Sequence, residues 1–90
     1  MTTPSSWFLD RERLREALDD WRAQNPDLVS RRLVNEFLMD LVRDPFDCGG
    51  IEDDETGIFS AELGVDRNIV AVYVPDVITR RIGVTTVTFA

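Results

Sequence analysis

IFSAELGVDRNIVAVYVPDVITRRIGVTTVTF, residues 58–89, decides the fold, because its apolar residues recur with the period of strands and its polar clusters fall where strands would turn. In 58–63 Ile58, Ser60 and Glu62 alternate with Phe59, Ala61 and Leu63, the pattern of a strand with one buried face. GVDRN turns the chain. IVAVYV, 69–74, is apolar on both faces and reads as the central strand. PDVIT turns again through Pro75 and Asp76, and RRIGVTTVTF, 80–89, is rich in the β-branched residues that suit a last strand.

Upstream the period changes to that of helices. Leu14, Leu18 and Trp21 stand at i, i+4 and i+7, with Asp10 as N-cap and Leu9 and Leu14 as a hydrophobic staple, so a helix is expected over about 10–24. Asn25 followed by Pro26 reads as a second cap with proline at the first helical position. The second helix, about 26–43, carries Val29, Leu33, Val34, Phe37, Leu38, Leu41 and Val42 as a broad apolar stripe and stops where Pro45 forces Asp44 out of the helical region. Trp7-Phe8-Leu9 can add a short strand at the sheet edge. The expected fold is α+β: two antiparallel helices packed on a three- to four-stranded antiparallel sheet, in the order (β)ααβββ.

Ninety residues support a single domain over 1–90, since a chain of this length buries roughly 60% of its unfolded surface and has no material for a second core. A 43% hydrophobic share with 30% charged residues is the composition of a folded chain rather than a disordered one. The one cysteine, Cys48, cannot form an internal disulfide, and the N-terminus lacks the basic-then-apolar layout of a secretory signal; both predict the cytoplasm. The longest apolar run, Ile69–Val74, is far short of the ~20 residues a membrane helix needs, so no membrane association is expected.

The net charge of −7 is concentrated: residues 44–66 hold eight acids and no base. That distribution disfavours RNA as a partner, because neutralising phosphate supplies most nucleic-acid affinity. Within it Glu52, Asp53, Asp54 and Glu55 are consecutive. They are read either as a solvated turn on the long irregular stretch 44–57 or as a surface that docks a basic protein partner, with charge raising the encounter rate. A calcium loop is excluded by spacing, since a start at Asp44 places Phe46, and a start at Asp47 places Gly49, where the third-position ligand must stand.

The chain has no histidine and no lysine, which removes Ser-His-Asp and Cys-His triads, the commonest zinc ligand and the phosphate-binding lysine of a P-loop. No metal and no cofactor site is expected. The residues left for cationic or acid-base chemistry are Arg67, Tyr73, Arg80 and Arg81, which the pairing of the last strands is expected to bring near one another.

Leu41-Val42-Arg43-Asp44-Pro45 closing a helix, the glycines of DPFDCGG, GIFSAEL, and Tyr73-Val74-Pro75-Asp76 closing a strand together resemble the RelE/ParE toxin superfamily of bacterial toxin-antitoxin systems, over nearly the whole chain. The resemblance implies a βααβββ scaffold wrapped by an antitoxin-like peptide. It also implies an arginine three residues before the tyrosine, where this chain has Val70, and a basic surface, where this chain is acidic. The functional expectation is therefore binding of a protein partner, an antitoxin-like peptide or a host protein, in a toxin-antitoxin or phage/host regulatory setting. The alternatives are an active toxin, either a ribosome-dependent mRNA endoribonuclease or a gyrase inhibitor, and an acidic mimic of nucleic acid.

Overall fold

The structure, a computed structural model, describes residues 7–90. Asp10 has extended backbone and accepts the Arg13 N–H on its carboxylate at 3.3 Å, so helix α1 (Arg11–Ala23) starts at the expected cap. Gln24 ends it, and Asn25 follows at φ 55°, a left-handed conformation that asparagine tolerates better than most residues. This turn corrects the expected start of the second helix. With Asn25 spent on the turn, Asp27 becomes the cap and accepts the Ser30 N–H at 2.9 Å, and α2 runs Leu28–Leu41. Val29 consequently lies in the first turn and is exposed rather than part of the core stripe.

Among the described residues five strands form one sheet: β1 (Phe8–Leu9), β2 (Gly50–Asp53), β3 (Ile58–Leu63), β4 (Ile69–Asp76) and β5 (Arg81–Phe89), in the order β1-β5-β4-β3-β2. The α+β class and the central place of IVAVYV stand. Two details differ from expectation. The sheet is mixed, because β1 runs parallel to β5, with Phe8 opposite Arg81 and Leu9 opposite Ile82. A fifth strand, β2, arises from the acidic stretch expected to be irregular; it pairs antiparallel with β3.

The strand sequences explain their own irregularities. Val84 and Val87 are three apart, which simple alternation would send to opposite faces. A bulge shifts the β4–β5 register between Val72 opposite Thr86 and Tyr73 opposite Val84, and both valines reach the core while Thr85 and Thr86 stay exposed. Pro75 sits in β4 opposite Ile82, but the β3 pairing has already ended at Phe59–Tyr73, so its missing N–H is on the side with no strand partner.

Both helices cover the same face. Ala17 and Trp21 of α1 and Val34, Phe37, Leu38 and Leu41 of α2 form one buried cluster with Ala61, Ile69, Ala71, Tyr73, Ile82, Val84 and Val87. Complete burial of a side chain such as Leu41 or Ile82 contributes about 1.5–3 kcal/mol. Helix α1 lies along β5, where Trp21 meets Phe89 at 4.8 Å between ring centroids. Helix α2 lies over β3 and β4, where Phe37 meets Tyr73 edge-on at 5.8 Å.

At Val87–Phe89 the outer edge of β5 is served by a side chain. Gln24 Nε2 donates to the Val87 carbonyl at 3.1 Å, and Gln24 Oε1 accepts the Phe89 N–H at 3.1 Å and the Thr88 hydroxyl at 3.0 Å. The amide thus stands in for one residue of a neighbouring strand, with a donor and an acceptor presented together.

Candidate functional site

The acidic stretch is a hairpin on the free side of the sheet. Glycine in the left-handed region lets the chain reverse at Gly57 (φ 71°), whose N–H donates to the Asp53 carbonyl at 2.9 Å, and the Asp53 carboxylate accepts the Glu55 N–H at 3.0 Å. Backbone pairing with β3, rather than strand propensity, makes Gly50–Asp53 a strand. Its register slips between Ile51 and Asp53, so Glu52 is the extra residue, and its carboxylate accepts the Ser60 hydroxyl. Every residue of β2 is exposed, as are Asp54 and Glu55, and among the described residues no strand pairs with the far side of β2. Glu52, Asp53, Asp54 and Glu55 therefore sit together on an open strand edge and its turn.

The connection from α2 to β2 is tied down by the core. The Tyr73 hydroxyl, from the middle of β4, donates to the Pro45 carbonyl at 2.7 Å. Phe46 is stacked edge-on between Trp7 at 5.5 Å and Phe59 at 5.6 Å. Gly49 passes so close to β3 that a Cβ there would collide with the Ser60 carbonyl oxygen and stand 2.9 Å from the Tyr73 hydroxyl. The function of that glycine is close approach, not a left-handed φ.

Past the Gly50 end of β2, an open groove of about 490 Å³ lies between α2 and the last residues of β3. Leu33, Phe37 and Leu63 form its floor; Glu36, Asp40, Asp44, Asp47 and Glu62 line it with one base, Arg43, which pairs loosely with Asp40 at 3.9 Å. Cys48 also lines it, donating its thiol to the Asp44 carbonyl at 3.3 Å. Burial pushes that thiol's pKa above its ordinary 9.0, and the carboxylates of Asp40, Asp44 and Asp47 push it the same way. Among the described residues no three His, Cys, Asp or Glu side chains are placed to hold a metal ion. None of the described helices is long and apolar enough to cross a membrane.

The four residues read as candidates for cationic chemistry do not converge. Arg67, at φ 53° in the β3–β4 turn, is at one end of β4. Arg80, at φ 61°, and Arg81, which pairs with Asp76, are at the other end. Eight residues of strand between them correspond to roughly 25 Å. Tyr73 is completely buried, its hydroxyl committed to Pro45, and burial pushes its pKa well above the ordinary 10.0. The expected proximity is corrected accordingly: a hairpin brings residues level across strands, but Arg67 and Arg80 belong to turns at opposite ends. The Arg80 guanidinium lies over the Trp7 ring at 5.3 Å, and the Arg80 carbonyl accepts the Phe8 N–H at 2.8 Å, so this arginine serves the β1–β5 junction. Arg81 does line a shallow depression with Arg13 of α1, in the company of Asp10 and Asp76. Both acids are occupied there, Asp10 as the α1 cap and Asp76 accepting the Ile78 N–H at 2.9 Å.

Sequence reasoning missed Arg13, Gln24 and the gathering of the groove carboxylates, and it read Gly49, with Gly50, as a source of backbone freedom where the structure shows close approach to β3. Compared with protein-family models, curated proteins and solved structures, the chain has no significant match. The class defined by the geometry is a two-layer α+β domain with an acidic, open sheet edge.

Proposed function

We propose that this chain is a cytoplasmic protein-binding module on a RelE/ParE-like scaffold, of toxin-antitoxin or phage/host regulatory type, which captures a basic extended segment of an antitoxin-like peptide or host protein. The observation that carries this reading is the β2 edge: a strand exposed along its whole length, open on one side, with Glu52 and Asp53 on it and Asp54 and Glu55 in its turn. An open edge offers backbone donors and acceptors to an added strand, and four carboxylates select one that carries lysine or arginine. The order β-α-α-β-β-β-β is compatible with the scaffold the sequence resembles. The dispersal of Arg67, Arg80 and Arg81 and the burial of Tyr73 favour binding over cleavage of RNA, which needs cationic groups gathered on one phosphate.

The test has two arms. Titration of the ¹⁵N-labelled protein with a short peptide alternating arginine and valine is expected to shift and protect the amides of Gly50–Asp53. The quadruple reversal Glu52→Lys, Asp53→Lys, Asp54→Lys, Glu55→Lys is expected to weaken that binding at least about tenfold. Induced expression in a bacterial host is expected to leave growth unchanged. Growth arrest relieved by Arg80→Ala with Arg81→Ala would replace this reading with that of an active toxin.

A further inference from the structure

The β2 strand covers β3 only at Ile58–Ser60, so among the described residues Ala61, Glu62 and Leu63 have no strand partner on that side, and the groove against α2 opens beside Glu62 and Leu63. We infer that this groove is a docking site for an extended, arginine- or lysine-bearing segment of a partner protein, which pairs with Ala61–Leu63 and lays its cationic side chains between α2 and β3. The inference rests on the protein-binding reading and places a second contact in a different lane of the sheet from the outer edge of β2.

Three properties of the groove select this occupant. An unpaired strand edge is completed by extended backbone. The apolar lining of Leu33, Phe37 and Leu63 accepts the aliphatic stem of a long side chain. The rim sets five carboxylates against a single guanidinium, Arg43, so a cation entering it meets attraction from α2 (Glu36, Asp40), from the connection (Asp44, Asp47) and from β3 (Glu62). The same rim repels phosphate, which excludes nucleic acid as the occupant. A metal ion does not fit either, because among the described residues no three acidic or thiol ligands converge.

The experiment titrates the intact chain by NMR and calorimetry with three probes: the arginine-valine peptide, the same peptide with glutamate for arginine, and spermidine. The expected result is shifted Ala61, Glu62 and Leu63 amides with the arginine peptide alone, and a dissociation constant raised at least about tenfold by Glu36→Arg with Asp40→Arg. Both positions are exposed on α2, and Glu36→Gln with Asp40→Asn, expected to act in the same direction, replaces that pair if the reversal disturbs the spectrum of the free protein. Shifts confined to Gly50–Asp53, unaffected by either pair, would overturn the groove and leave edge capture standing. Spermidine binding as tightly as the peptide would overturn the groove as a site for an extended segment. No binding of the arginine peptide anywhere would overturn both.

Discussion

The hydroxyl of Tyr73 and the carbonyl of Pro45 are joined by a buried hydrogen bond of 2.7 Å between the middle of the sheet and the exit of the second helix. It fixes where the acidic connection begins, and through Gly49 and Cys48 it sets the position of both the groove and the β2 edge.

Tyr73→Phe removes that donor and leaves the Pro45 carbonyl buried without it. The expected loss of stability is about 1–3 kcal/mol, measured by denaturant unfolding. Tyr73 is the one tyrosine in the chain, so absorbance at alkaline pH reports it alone. Its folded pKa is raised, so the stabilisation from the neutral phenol is complete below the unfolded value near 10.0 and is lost as pH rises through the folded value. Tyrosinate absorbance is therefore expected to appear together with unfolding, well above pH 10.0, rather than as a separate earlier step.

Gly49→Ala places a methyl against the Ser60 carbonyl oxygen and the Tyr73 hydroxyl, neither of which can yield without moving β3 or breaking the bond to Pro45. A destabilisation of about 1–3 kcal/mol is expected. Gly50→Ala, whose added methyl would meet nothing within 4 Å, is expected to be close to neutral, and thermal melts of the two variants make the comparison.

Gln24→Glu keeps an oxygen for the Phe89 N–H but replaces the donor to the Val87 carbonyl with a second acceptor. At neutral pH it is expected to cost about 1 kcal/mol, more than an exposed substitution ordinarily does, and to speed hydrogen exchange at Phe89.

Cys48 is expected to alkylate more slowly at pH 8 than a free thiol, because burial and three carboxylates hold down its thiolate fraction. Asp40→Asn with Asp44→Asn is expected to raise the rate at that pH, with the reaction followed by mass spectrometry. No change on removing both charges would contradict the electrostatics assigned to the groove.

The parts legible in the sequence are those whose side chains carry a period. Leu14, Leu18 and Trp21 announced α1, and the alternation in 58–63 announced β3. Gly-Ile-Glu-Asp has no such alternation, so β2 became visible only as backbone paired with β3. The parallel direction of β1 depends on how two residues enter beside β5. The start of α2 was displaced because Asn25 and Asp27 are both competent caps, and the need to turn after α1 decided between them. The groove was illegible for another reason: its carboxylates come from a helix, a connection and a strand, and no spacing along the chain relates Glu36 to Glu62.

The amide of Gln24 has a bearing on assembly. By stoppering the β5 margin with a side chain, it occupies the Val87 carbonyl and the Phe89 N–H that a further strand would claim, so this end of β5 is closed to an added strand while the β2 border at the other side of the sheet stays open.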